Sequence, residues 1–378
     1  MSTLSVSQAA TRPTSDGRAA TTVRHAAPFL LIYTSLVSAA IGNGLGGWWV
    51  LLPMVVLYAL LPTIDHILGT SHDNPFPDAP PASARLHDAV IFSYVPAQVA
   101  FVLWALGNII ASTGPWYEQA MAVINVGLVT GATGITIAHE LMHRRTKLER
   151  AMAEILMTLT TYTWFCVEHV HGHHRHVSTP NDPATSRFGE SLYAFLPRTF
   201  VGGLLNAIAI ERKRIAKRKL PVLSLDNRMV RYPLVILAAY AIVFSVFGWI
   251  GVALFAAQSA VGILMLEIIN YVEHYGLTRT KLSDGRYERV QPQHSWNASH
   301  RVSNWILVNL ARHSDHHAYA SRPFHALRHH DDVPQMPTGY SGMFLLALVP
   351  PLWFSVMNPR VEAWRARYIK ATEATPQA

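Results

Sequence analysis

Apolar runs of about 20 residues, the length a helix needs to cross a bilayer, dictate what this chain of 378 residues can become. They come in pairs, at 28–45 and 48–68, 89–110 and 120–138, and 233–249 and 252–269. Backbone inside lipid must pair its own N–H and C=O groups, so these runs predict helices rather than open strands. The expected fold is therefore an all-α integral membrane protein, a bundle of six transmembrane helices. Composition agrees: charged residues are 14% of the chain, against about 25% in soluble domains, and the mean hydropathy is +0.19. Two further apolar stretches fit a span less well. Residues 151–166 are expected to lie in the interface or re-enter, and 343–357 are interrupted by Pro350 and Pro351. The turn Gly42-Asn-Gly-Leu-Gly-Gly47 matches GxGxxG in form, but no strand precedes it, so it reads as a hairpin turn between helices.

The basic residues orient this bundle. The net charge of +8 would suit nucleic acid if it were clustered on one soluble face, but its distribution follows topology instead. Of the 31 Lys and Arg, 15 fall between Arg144 and Arg231 and 12 from Arg279 onward. The short connections at 42–47, 111–118 and 249–251 have none. Six spans with both ends inside put every Lys and Arg on the cytoplasmic side. Residues 1–26, rich in Ser, Thr and Ala with three Arg, lack the apolar core of a signal peptide; they read as a disordered cytoplasmic tail in preference to a mitochondrial presequence. A single membrane domain is expected over 27–360 and a tail over 361–378.

The same topology gathers the histidines. Of 20 in the chain, His139 and His143 close the fourth span, His169, His173 and His174 follow, His274 closes the sixth, and His313, His316 and His317 lie beyond. All land on one membrane face. His139 and His143 stand at i and i+4, one helical face; His169 and His173 repeat that spacing, with His174 aimed elsewhere, and His313, His316 and His317 follow the i, i+3, i+4 pattern. Nine imidazoles exceed one ion's coordination and suit two. Imidazole serves iron, zinc, copper and nickel, but nitrogen-rich sites without a Cys–Met copper pattern favour iron. Glu140, Glu168, Asp182, Glu273 and Asp315 adjoin these positions and are candidates to orient them from behind. His171 and His176 point between or beyond the pairs. The other histidines, among them His72, His87, His325, His329 and His330, read as surface or core fillers. The lone Cys166 excludes an internal disulfide, a CxxC pair and a Cys-ligated iron centre, so any electrons the chemistry needs must come from another protein.

Competing chemistries leave residues unused. His139-Glu-Leu-Met-His143 fits the HExxH of zinc peptidases, which needs three protein ligands and a water. Glu140-xx-His143 and Glu168-xx-His171 resemble carboxylate di-iron pairs, but Glu267 and Glu273, the two further carboxylates, share one span. A metal transporter would need polar residues inside the spans, which hold few, and a haem module does not need clustered imidazoles.

HELMHRR (139–145), EHVHGHHRHVSTPNDPATSR (168–187), NYVEHYGL (270–277) and LARHSDHHAY (310–319) resemble the four histidine motifs of the membrane-bound alkane 1-monooxygenases, of the integral-membrane fatty acid desaturase and hydroxylase group. SLDNRM (224–229), the stretch 282–304 and PTGYSGMF (337–344) extend the likeness over about residues 48–360. The resemblance implies a cytoplasmic histidine-rich cap with two non-haem irons held by His139, His143, His169, His173, His174, His274, His313, His316 and His317. It also implies hydroxylation of the terminal methyl of medium- to long-chain n-alkanes with O2. Electrons would come from a separate rubredoxin and its NADH-dependent reductase, at a bacterial inner membrane. A xylene-type methyl-aromatic hydroxylase of the same group is the alternative. The chain departs from the family pattern at His171 and at Ala311, where Gln is common. Leu57, in the second span, is a candidate for the wall of a substrate tunnel, and the basic stretch 212–219 is a candidate rubredoxin or lipid contact.

Overall fold

The structure, a computed structural model, describes residues 23–74 and 81–374. Residues 1–22 of the expected N-terminal tail lie outside the described residues. Among the described residues every regular element is helical, and extended pairing is limited to isolated bridges such as Thr70 with His300.

Among the described residues six helices are long and apolar enough to cross a membrane: α1 (Val23–Leu45), α2 (Gly47–Leu68), α3 (Ala84–Ala111), α4 (Trp116–Met142), α6 (Leu192–Lys217) and α7 (Arg228–His274). The amphipathic α5 (Lys147–Leu159) lies between α4 and α6, opened by a reciprocal cap between Thr146 and Glu149. Two of the long helices need interpreting. At Gly248 of α7 the backbone turns to φ 61°, a conformation glycine tolerates. The rings of Tyr240 and Phe255 then meet at 5.2 Å; in one continuous helix their Cα atoms would be about 22 Å apart. So α7 is a hairpin of two antiparallel limbs, 228–247 and 249–274.

Residues 192–217 carry no expected span, yet form the long helix α6. The start of α6 meets the end of the second α7 limb, where Thr199 Oγ1 donates to Glu267 Oε2 at 3.0 Å. Its end meets the start of the first limb, where Arg228 Nη2 donates to Glu211 Oε2 at 2.9 Å. Those two places share one end of the hairpin, so α6 runs across the bundle instead of through it. The spans are α1–α4 and the two limbs of α7. At their opposite end Trp48, Trp116 and Trp249 open the even-numbered spans, 88%, 77% and 76% exposed, as indoles do at a lipid–water boundary.

Small and polar side chains draw the spans together. A Cβ on Gly127 would lie 2.4 Å from Val261 Cβ, and one on Gly131 would lie 2.9 Å from Gly262 Cα, so α4 and the second α7 limb touch nearly backbone to backbone. Ser35 and Tyr94 both bond Thr133 Oγ1, at 2.8 and 2.5 Å, joining α1, α3 and α4. Asp65, near the end of α2, accepts the Val302 N–H at 2.7 Å and also bonds Ser303, capping α8 (Arg301–Ile306) from outside.

The helices α9 (His313–Ala318), α10 (Tyr340–Ala347) and α11 (Pro350–Ala374) complete the cap. The chain breaks before Pro350 as the proline pair predicts. Residues 361–374, expected as a tail, instead continue α11. Val361 is fully buried, Arg365 Nη2 donates to Gly276 O at 2.6 Å, and Tyr368 Oη donates to Glu288 Oε2 at 2.9 Å. The expected interfacial run 151–166 divides into α5, a turn, and a helix entering the histidine segment.

Candidate metal centre

Among the described residues three short π-helical turns interrupt the helices, at Val56–Leu60, Val129–Gly134 and His169–His173. Wide turns of this kind re-aim side chains and recur at functional sites. The third changes the expected pairing of the second histidine cluster. His169 and His173, anticipated on one face, point to different places: His169 joins His174, with Nε2 atoms 3.0 Å apart, and His173 joins His274, at 3.1 Å. In a π turn the chain needs more than four residues to come round, so i and i+5 share a face where i and i+4 would in an α-helix.

All nine candidate histidines come together, in two groups. His139, His143, His169, His174 and His316 form one; His173, His274, His313 and His317 form the other; within each, the ligand atoms lie within 4.8 Å of one another. The groups adjoin, the rings of His174 and His317 stacking at 4.3 Å. In α9, His313 and His317 serve one group and His316 the other. His171 and His176 belong to neither group. His171 is exposed, with Nε2 3.5 Å from Arg228 Nη1.

The donors fit metal ions. His313 and His274 Nε2 stand 3.2 Å apart, as do His316 and His174 Nε2, while His139 Nε2, His143 Nε2 and both nitrogens of His317 are buried without a hydrogen-bond partner. Leaving buried nitrogens unpaired is costly. Two facing imidazoles share at most one proton, whereas a cation with bonds of about 2.1 Å satisfies a whole group. Burial, with the neighbouring imidazoles of His171 and His173, pushes His143 down to about 3. Burial likewise holds His169, His174, His316 and His317 well below the usual imidazole range. These rings are neutral, the form a metal binds. His173 differs: burial disfavours its charge, but the Asp182 carboxylate beside it raises it overall.

The five carboxylates divide by what they touch. Asp182 Oδ2 sits 2.8 Å from His173 Nδ1 and also accepts from Thr185, fixing the ring from behind. Glu273 Oε2 is 3.2 Å from His313 Nε2, as near as a histidine, so it stands with the second group; Tyr340 Oη donates to its other oxygen at 2.6 Å. The remaining three touch none of the nine. Glu140 accepts from Arg144, Glu168 from the amide of Asn206, and Asp315 bonds Arg322 and His330 Nε2. His330, read as a filler, thus steadies α9 through Asp315, and Tyr340 lies in PTGYSGMF. Asp182→Ala is expected to weaken metal retention about 10–100-fold, checked by iron content after dialysis against a chelator.

Beside the histidines an apolar cleft opens between α2, α4, α7, α8 and α10. His139, His169, His313 and Glu273 line it, and Leu57, Leu61, Ile135, Met265, Ile306 and Phe344 supply apolar wall. Leu57, on the first π turn, is in this lining and 6% exposed.

Comparison with known proteins agrees with this geometry. The fatty acid desaturase family model matches residues 115–347. Alkane 1-monooxygenase 1 of Pseudomonas aeruginosa is 42% identical, over 84% of this chain and 85% of its own length. Alkane 1-monooxygenase 2 of the same organism is also 42% identical, over 87% and 91%. Alkane 1-monooxygenase 2 of Alcanivorax borkumensis is 40% identical, over 86% and 87%.

Proposed function

The chain belongs to the alkane 1-monooxygenases, within the fatty acid desaturase family, and from that premise we propose that it converts medium- to long-chain n-alkanes to 1-alkanols. The histidine clusters and the family together point to a non-haem iron centre. We assign it two irons, one per histidine group. The balance is one alkane, one O2, two electrons and two protons giving one alcohol and one water. The observation that carries this reading is the meeting of nine histidines, seven buried and two half-buried, with His139, His169 and His313 lining an apolar cleft.

Bound iron would supply the activation of O2 and the attack on the C–H bond. The chain's own residues bind and orient. His139, His143, His169, His174 and His316 would hold one ion; His173, His274, His313 and His317, with Glu273, the other. Asp182 keeps His173 in one orientation. An alkane offers no polar handle, so the cleft selects by shape and by excluding water. Its apolar side chains favour a chain lying along it with one methyl toward His139, His169 and His313. Electrons are assigned to a separate rubredoxin and its NADH-dependent reductase, consistent with a single buried cysteine. The asymmetry of Lys and Arg supports a cytoplasmic cap in a bacterial inner membrane.

Leu57→Trp should shorten the accepted chain, since a larger ring would fill cleft volume. Product profiles from octane to hexadecane check this, and an unchanged profile would remove Leu57 from the wall. The reading as a whole is tested with purified enzyme, rubredoxin, reductase and NADH, offered octane, hexadecane and p-xylene. It requires 1-alkanol, dependent on O2, as the main product; preferential turnover of p-xylene would place the chain with methyl-aromatic hydroxylases instead.

A further inference from the structure

Outside the nine histidines, one other cluster among the described residues brings ligating side chains together: His72, His329 and Asp331, with ligand atoms within 4.8 Å of one another. From it we propose a separate site for a divalent transition cation such as Zn2+, held by His72 Nδ1, His329 Nε2 and a carboxylate oxygen of Asp331. Two imidazoles and one carboxylate, with room for water, form a donor set that zinc accepts.

The donors converge on one atom. Asp331 Oδ1 is 3.1 Å from His329 Nε2 and 3.4 Å from His72 Nδ1. Each ring's far nitrogen is already engaged, His329 Nδ1 with Ser299 Oγ at 2.7 Å and His72 Nε2 with Thr70 Oγ1 at 3.2 Å. Hydroxyls there can accept the ring N–H, which turns both facing nitrogens into lone-pair donors, the arrangement that outer partners impose at metal sites. With N–H groups facing the carboxylate instead, the cluster would be a hydrogen-bonded network and no more.

The backbone holds these donors in place beforehand. The Ser71 N–H donates to Ser299 O at 2.8 Å, beside the bridge between Thr70 and His300. The Asn74 amide donates to His329 O at 3.1 Å and accepts the His329 N–H at 2.8 Å. The rings of His72 and His329 stack at 4.0 Å. Arg312, next to His313, ties the same loop down through Ser71 O, Asp73 O and Leu327 O, at 3.2, 3.0 and 2.7 Å. His72 and Asp331 are exposed, so an ion reaches the site from solvent and water completes its shell. Such preorganisation lowers the ordering cost of binding. A cation here would clamp the loop after α2 onto the segment that follows α9.

The experiment is zinc titration of iron-loaded, detergent-purified protein carrying no polyhistidine tag, with zinc and iron both counted. One zinc per chain is expected, with no loss of iron. His72→Ala and Asp331→Ala should each lower zinc affinity more than about hundredfold, and Ser299→Ala about 10–100-fold, since it removes only the outer partner. His66→Ala, an exposed histidine outside the cluster, should leave zinc binding unchanged. Retained iron in each variant shows that it has folded. No zinc uptake, or uptake indifferent to His72→Ala and Asp331→Ala, would overturn the proposal.

Discussion

His316→Ala is expected to lower alcohol formation by at least about hundredfold, because loss of a mere outer partner at a metal site already costs about 10–100-fold. His316 belongs to the group with His139, His143, His169 and His174, and its Nε2 lies 3.2 Å from that of His174. His317→Ala, from the other group, should do equal damage although it is the next residue. Iron content should fall in both variants, since each would leave its proposed ion a donor short. His171→Ala is the control. It lies in the densest histidine stretch but outside both groups, and should keep iron and activity near the parent values. Measuring iron and product together for the three variants separates a coordinating role from general damage to the segment.

Gly127→Val is expected to destabilise the whole membrane bundle. A Cβ there would meet Val261 Cβ at 2.4 Å and the Gln258 carbonyl oxygen at 2.6 Å. One obstacle is backbone, so rotation of a flexible side chain cannot relieve the clash. Over-packing of this kind costs about 1–3 kcal/mol even for small additions, so Gly127→Ala should fall in that range and Gly127→Val beyond it. The consequence reaches the metal centre, because α4 carries His139 and the second limb of α7 carries His274. Separating these helices moves ligands of one group away from the other. Thermal unfolding in detergent, followed alongside iron retention, should show both dropping together. Ala256→Val, on the exposed face of the same α7 limb, should change stability by no more than about 0.5 kcal/mol.

Much of this architecture was legible in the order of residues. Apolar length and the asymmetry of Lys and Arg predict helices whose histidine-bearing ends meet, and the nine imidazoles do meet. The Gly42–Gly47 turn reads correctly as a helical corner because Gly46 takes φ 64° between α1 and α2. What composition could not supply was local helix geometry. Spacing alone pairs His169 with His173, but the π turn at His169–His173 divides them between the groups. No hydropathy pattern announces an extra residue in a turn. The helix α6 escaped notice as a long element because Arg198, Glu211 and Lys213 interrupt its apolar character. Its polar residues meet the cap, where Arg198 pairs with Glu190 at 2.7 Å and Glu211 with Arg214 and Arg228. The close contact of Gly127 and Gly131 with α7 had a signal, small residues four apart in a span. Among the carboxylates, adjacency to a histidine in sequence was a poor guide. Glu140 and Asp315 neighbour ligands along the chain yet bond arginines, while Asp182, nine residues from His173, reaches its ring through a turn.

Metal analysis of the tag-free, detergent-purified parent chain by element-resolved mass spectrometry bears most directly on the two-group centre. The account predicts about two irons per chain, falling when His316 is replaced and falling again when His317 is replaced as well. A single zinc per chain with no iron, lost when His139 is replaced and kept in His72→Ala, would contradict it and return the first histidine motif to the peptidase reading.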